Sequence, residues 1–132
     1  MSKPIVFISH LRIKEGALDA YPQMQHEASA QLEADKPQTL AFLPYMSADR
    51  RHVTIVHVFA DAASMDLHFE GAEQRSAAAF AVLVPEGWEI YGTPSSRVVD
   101  FMRNAAAASG VPLQVQPDNV AGYLRLARPT KR

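Results

Sequence analysis

The chain has 132 residues, 13 Lys and Arg against 14 Asp and Glu, and no cysteine. This length predicts a single domain with its own core, and the near-neutral charge argues against binding to nucleic acid or to an anionic membrane. The lack of cysteine excludes disulfides, thiolate catalysis and cysteine-ligated metal centres.

The first predicted element is a strand over residues 4–13, which are mostly β-branched or apolar. Strand alternation puts Phe7 and Ser9 on one face and His10 and Arg12 on the other. Polar residues interrupt the apolar run and a charge stands within the first three positions, so neither a signal peptide nor a membrane span is indicated. The sequence therefore predicts a soluble, cytoplasmic protein.

A helix is predicted over residues 17–36, where apolar residues recur at helical spacing until Pro37 ends the pattern. Pro22 is compatible with this helix only in its first turn, where no backbone N–H is needed. Strands over residues 39–46 and 53–59 follow, joined by the turn-forming letters SADRR. These two strands predict a hairpin.

The second helix is predicted in two pieces. Asp61 can cap the first piece, and the second runs over residues 73–84 and ends at Pro85. The buried side of the second piece would consist of Phe80, Leu83 and Val84. A short fourth strand is predicted over residues 87–94.

A C-terminal extension, residues 96–132, follows this core within the same single domain. It begins with a helix over residues 96–109, and Gly110 is the expected stop. Two short stretches, residues 112–116 and 122–127, have strand-like composition. No internal repeat or low-complexity linker separates the extension from the core.

The element order of residues 4–95 is β-α-β-β-α-β, which is typical of an α+β, ferredoxin-like antiparallel sheet with helices on one face. Two of its strands, IVFISHL and TIVHVF, are apolar on both alternating faces apart from a few polar letters. Helices cover only one of these faces. We therefore predict a homodimer that buries sheet against sheet.

A first strand ending in RIKEG, a long helix, a hairpin that continues into VFADAASMDLHFEG, a split helix and a closing strand together resemble the antibiotic biosynthesis monooxygenase-like family. The resemblance covers roughly residues 4–95. It implies a dimeric α/β barrel of ferredoxin-like protomers, each with a pocket between sheet and helices. Some members are cofactor-independent monooxygenases of phenolic polyketides, others degrade haem, and many have no known activity.

The sequence departs from this family at several positions. His57 and Phe59 stand where the family often has Glu and Trp near the end of the third strand. The haem-degrading branch would place a tryptophan near His68 and a haem-ligating histidine near Ala78, and neither residue type is present there. These departures weaken the case for haem degradation.

Two histidines are the candidate catalytic residues. His57 shares one face of the third strand with Phe59, whereas His52 lies on the opposite face. His68 lies at the edge of the apolar stripe of the next helix, half in and half out of the core. Because that helix must fold back across the sheet, His57 and His68 can meet at the rim of a pocket. The alternative is ordinary packing, with His57 as a buried neutral imidazole bonded to a carbonyl or hydroxyl.

Five further residues are candidates for substrate binding, either as ring-stacking surfaces or as polar groups: His10, Tyr45, Phe59, Trp88 and Tyr91. The alternative for the aromatic residues is core or dimer packing. Two imidazoles lack the third ligand of a tight metal site, and no metal motif is visible, so no metal is predicted.

The function predicted from these features is a cofactor-independent monooxygenase-like protein acting on a small aromatic phenol or quinol. A histidine, with a reference pKa near 6.5, would deprotonate the substrate, and the resulting anion would react with oxygen. One alternative is a non-catalytic dimeric protein that binds a small hydrophobic ligand. A second alternative is a haem-binding or haem-degrading protein.

Overall fold

The computed structural model describes residues 3–125, so residues 126–132 of the predicted extension lie outside the described part of the chain. Within that part, helices and strands alternate much as the sequence predicts. In chain order they are β1 (Ile5–Ile13), α1 (Tyr21–Asp35), β2 (Thr39–Met46), β3 (His52–Phe59), α2 (Ala62–Phe69), α3 (Ala72–Ala79), β4 (Leu83–Tyr91), α4 (Ser96–Ser109) and β5 (Leu113–Gln116).

The strands form one sheet in the order β2-β3-β1-β4-β5. Its first four strands pair antiparallel, and Phe7 in the central strand β1 stands between His57 of β3 and Ile90 of β4. This confirms the predicted ferredoxin-like α+β arrangement. The extension adds β5 to the edge in parallel with β4, so the sheet is mixed rather than purely antiparallel.

The helices pack on one face of the sheet, and the largest buried side chains lie there. One core cluster lies between the sheet, α2 and α4, and includes Phe59, Met65 and Ile90. A second cluster lies beneath α1 around Tyr21 and Val53. Burial of each such side chain stabilises the fold by about 1.5–3 kcal/mol. The two clusters leave a cavity between them.

The prediction that residues 73–84 form a helix with Phe80, Leu83 and Val84 as its buried side is wrong. The helix α3 ends at Ala79 and contains no buried residue, while Leu83 already belongs to β4. Pairing to β1 begins here, because the Lys14 amide donates to the Val82 carbonyl. Pro85 is accommodated inside the strand beside a register shift in the β1–β4 pairing.

Three of the predicted helix signals are confirmed, at Asp61, Gly110 and Pro22, although α1 begins at Tyr21 rather than at residue 17. The Asp61 side chain accepts a hydrogen bond of 2.8 Å from the Ser64 amide at the start of α2. Gly110 ends α4 in the left-handed conformation, at φ 66°, and Pro22 lies in the first turn of α1.

The second strand-like stretch of the extension, residues 122–127, is not a strand over residues 122–125, which have no regular structure. Its last two residues lie outside the described range. Within residues 3–125, no helix is both long enough and apolar enough to cross a membrane.

Candidate functional site

A cavity of about 690 Å³ lies between the helical face of the sheet and α1, α3 and α4. Its floor is formed by strand residues that include Ser9, His57 and Trp88, and Met24 of α1 and Met102 of α4 contribute to its walls. This volume lies within the range of about 300–1,000 Å³ that is typical of small-molecule sites.

His57 lies in the middle of β3 and is only 5% exposed. Its Nδ1 lies 3.0 Å from the Phe7 carbonyl oxygen. Because a carbonyl can only accept, Nδ1 carries the proton, and the lone pair of the neutral ring is on Nε2. Burial lowers the pKa of His57 to about 4, so the ring is neutral at neutral pH.

His68 lies near the C-terminal end of α2 and is also 5% exposed. Its Nδ1 lies 2.7 Å from the Thr39 hydroxyl. Burial, and then repulsion from the protonated form of His57 in acid, lower the pKa of His68 to about 3. The prediction of a half-exposed position is wrong, because the start of β2 and the rings of Phe42 and Phe59 cover this edge of α2.

The two imidazoles lie against each other, as the sequence predicts. Their ring centroids are 5.4 Å apart and their planes meet at 81°. Phe7 and Phe42 contact His57 with centroid separations of 4.7 and 5.1 Å. The site therefore consists of two neutral imidazoles with aromatic rings packed around them.

Two other predicted residues lie on the same side of the sheet. Trp88 is largely buried and lines the cavity on the strand next to Ser9. Phe59 is fully buried and packs against His68, at a centroid distance of 5.1 Å, instead of lining the cavity. Trp88 is thus available to a ligand, whereas Phe59 supports the histidine from behind.

The remaining predicted residues, His10, Tyr45 and Tyr91, lie on the opposite face of the sheet, which the helices leave uncovered. His10 and Tyr91 both contact the Glu89 carboxylate there, and Tyr45 is 59% exposed. Strand alternation explains this, because His10 is paired with Thr54 and Tyr91 with Val6. These three residues do not line the cavity of their own protomer.

Sequence reasoning missed Thr39 as a residue of the site. Strict alternation along β2 would place Thr39 and Phe42 on opposite faces, since they are three residues apart. A register shift between Thr39 and Ala41 restores Thr39 to the cavity side, opposite Phe59. No residue type in this part of the sequence indicates the bulge.

Sequence reasoning also missed Arg75, which lines the cavity from α3. Its position depends on the turn at Gly71, which has φ 80° and separates α3 from α2. The glycine was visible in the sequence as a break, but the direction of the following helix was not.

Within residues 3–125, no set of three or more His, Asp or Glu side chains is placed to hold a metal ion.

No protein-family model matches this sequence, and no curated protein matches it significantly. Solved structures do resemble it. MupZ from Pseudomonas fluorescens superposes with a TM-score of 0.67 at 14% identity, over 92% of this chain and 96% of MupZ. Because 92% of the chain is covered, the similarity extends beyond the core into the C-terminal extension.

Other similar structures match the core. SnoaB, a cofactor-independent oxygenase from Streptomyces nogalater, has a TM-score of 0.58 at 13% identity, over 72% of this chain and 97% of its own. A protein from Chloroflexus aurantiacus assigned to the antibiotic biosynthesis monooxygenases has a TM-score of 0.54 at 13% identity, over 71% of this chain and 95% of its own. The fold is therefore that of antibiotic biosynthesis monooxygenase-like structures, as the sequence predicted. At these identities the similarity concerns the fold alone.

Proposed function

We propose that this protein is a cofactor-independent monooxygenase that binds an apolar phenol or quinol in the cavity and oxidises it with dioxygen. The observation that carries the proposal is the fixed tautomer of His57. The Phe7 carbonyl holds the Nδ1 proton, so the basic Nε2 belongs to a neutral ring in the cavity floor.

In the proposed reaction, His57 Nε2 accepts a proton from the substrate and leaves an electron-rich anion, and the attraction between this anion and the new imidazolium offsets the low pKa of the ring. This anion reduces dioxygen, forms a carbon–oxygen bond and gives a hydroperoxide once a proton returns. Loss of water then yields the quinone, so that the ring CH₂ of the keto tautomer of the phenol and O₂ become C=O and H₂O. The substrate supplies all the electrons, and no further reductant is required.

His68 and Trp88 have supporting roles in this proposal. His68 contacts His57 edge to face and is held by Thr39, so it fixes the position of the base. Trp88 offers a ring surface and an indole N–H on the same floor, which can orient the polar edge of an aromatic ligand. SnoaB, which has the same fold, is by name a cofactor-independent oxygenase, and this supports the reaction class by analogy.

We also propose that the protein acts as a homodimer through the sheet face that the helices leave uncovered. Ile8, Leu43 and Val56 stand side by side on that face, in neighbouring strands. A continuous apolar row of this kind is unfavourable in water and favours a partner surface. A second copy of the chain would supply that surface without any additional component.

Oxygen consumption tests the proposed reaction. Anthrone and a panel of hydroquinones are supplied to the wild-type protein, and the rate above the protein-free background is measured with an oxygen electrode. We expect His57→Gln to lower this rate by a factor of about 100 or more, the usual contribution of a general base. His26→Gln, which changes an exposed histidine of α1, should leave the rate unchanged.

Equal rates in the wild type and His57→Gln would contradict the role of the base, and no protein-dependent consumption across the panel would contradict the reaction. The depressed pKa of both histidines also suits a protein that binds a ligand without turnover, because an imidazole of low pKa is a weak base. Native mass spectrometry that finds bound ligand without oxygen consumption would favour this second function. A saturable Soret shift on addition of hemin would instead favour haem binding.

A further inference from the structure

Arg75 places a cation in the wall of the cavity. Its Nη1 donates to the Glu70 carbonyl at 2.8 Å, and its Nη2 donates to the His68 carbonyl. Both acceptors belong to the end of α2. The guanidinium is therefore held directly behind the candidate histidine while it also lines the cavity.

Arg75 has no carboxylate partner in the described part of the chain, where no Asp or Glu oxygen lies within 4.0 Å of it. It is partly buried, and burial lowers its pKa, an effect that the more distant Asp35 opposes. Glu27 and Glu73, the acidic residues of the cavity lining in the described part of the chain, are exposed. A half-buried cation without a counter-ion is costly unless something else compensates its charge.

Contact with α2 accounts for only part of the hydrogen-bonding capacity of Arg75. A guanidinium has five N–H donors in a planar fork, and the two carbonyls use two of them. Burial is the main cause of the low pKa of His57 and of His68, and the positive charge of Arg75 lowers both pKa values further. A field that disfavours imidazolium favours an anion in the same place.

We propose that Arg75 makes the cavity selective for ligands that combine an apolar body with an anionic oxygen group, a carboxylate or a phenolate-type oxyanion. The apolar walls take the body of the ligand, and the free N–H groups of Arg75 bind the anion beside the two imidazoles. This inference rests on the proposal that the cavity is the ligand site, but it does not depend on the chemistry with oxygen.

A matched pair of probes tests the selectivity. 2-Naphthoate and 2-naphthamide have nearly the same shape and differ in charge, and their dissociation constants are measured by calorimetry. We expect the wild type to bind naphthoate at least about tenfold more tightly, the usual size of a charge-assisted hydrogen bond. Arg75→Gln should remove the preference, whereas Arg75→Lys should keep part of it because the charge remains. Arg103→Gln, an exposed change on α4, should keep all of it.

The ratio of the two dissociation constants separates direct binding of the anion by Arg75 from a purely structural role. Loss of the contacts between Arg75 and α2 would weaken the binding of both probes equally and leave the ratio unchanged. If Arg75→Gln fails to fold, the side-chain ¹⁵N signal of Arg75 in the wild type provides the same test, since naphthoate should shift it and naphthamide should not. Equal binding of the two probes, an unchanged ratio in Arg75→Gln, or no binding of either probe would overturn the proposal. If the protein binds naphthoate selectively but consumes no oxygen with anthrone or the hydroquinones, the proposed oxygenase reaction is contradicted and the proposed anion site is supported.

Discussion

His57 and His68 are buried imidazoles whose protonated forms the fold disfavours. Their pKa values fall to about 4 and about 3, first of all because burial removes water from the charged ring. An unfolded histidine titrates near 6.5. Below that pH the unfolded chain binds protons that the folded chain does not bind, so acid shifts the equilibrium toward unfolding.

This linkage predicts a pH-dependent loss of stability at His57. The loss begins as the pH falls below about 6.5 and is complete near pH 4, and it amounts to about 3 kcal/mol at 1.36 kcal/mol per unit of pKa. That is a large share of a typical free energy of unfolding, about 5–15 kcal/mol. Between pH 7 and pH 4.5, His57→Gln should therefore lose less stability than the wild type, as measured by urea unfolding.

The quantity to compare is the change in the free energy of unfolding with pH. Its absolute value at pH 7 is not comparable, because His57→Gln also costs stability there through the altered contact with Phe7. His26→Gln on the exposed side of α1 is the matched control and should follow the wild-type profile. Parallel profiles for His57→Gln and the wild type would show that the buried ring is not the source of the acid sensitivity.

At the same scale, the sequence could predict the meeting of His57 and His68 but not the composition of the site around them. Strand parity fixed the face of His57, and a helix that folds back over the sheet made contact with His68 possible but did not require it. The face of Tyr45 could not be predicted in the same way, because the register of the β2–β3 hairpin was not known from the sequence. The orientation of Thr39 could not be predicted from the sequence, because it depends on a bulge in β2.

At the scale of elements, α3 differs from the other helices. It borders the cavity, yet none of its residues is buried, and its sequence AEQRSAAA offers little apolar surface to the core. Arg75 joins it to the end of α2 through two hydrogen bonds, and Ala79 packs against the second core cluster. Elements with few buried contacts open locally at low free energy.

We therefore predict that the amides of α3 exchange with solvent much faster than those of the central strand β1, as measured by hydrogen–deuterium exchange with mass spectrometry. α4 is the internal control, because it buries Val98, Met102 and Ala106 and should be protected. A bound ligand should slow exchange in α3 and leave β1 unchanged. Equal protection of α3 and α4 in the free protein would contradict this account.

The same elements show where local sequence signals are sufficient. Helix caps such as Asp61 and Gly110 act within one turn of the helix. Their prediction is confirmed because no distant contact competes with them. The boundary between α3 and β4 was mistaken because pairing with β1 outweighs the helical pattern of residues 80–84. β5 joins the sheet in parallel through a crossover, an arrangement that no local pattern determines.

At the scale of the molecule, the uncovered face of the sheet has an apolar centre and a polar rim. Ile8, Val56 and Leu43 form the central row. Around it, His10 and Tyr91 contact Glu89, and His52 lies 2.9 Å from Glu86. Glu89 is the β4 neighbour of Ile8, so the polar rim is nearest on that side, and an apolar patch bordered by polar groups is a common arrangement at protein interfaces.

Val56 is the sharpest test of the proposed dimer, because it stands between Ile8 and Leu43 in that row and faces away from the cavity. We expect the wild type to be a dimer at micromolar concentration by light scattering, and Val56→Glu to be a monomer, since a buried carboxylate without a partner costs several kcal/mol. Leu67→Glu places the same charge on an exposed position of α2 and should remain dimeric. The sheet-to-sheet arrangement would be excluded by a monomeric wild type, or by a Val56→Glu protein that still dimerises. Because Val56 lies on the face opposite His57, a monomeric variant that still binds ligand would further show that each cavity is complete within one protomer.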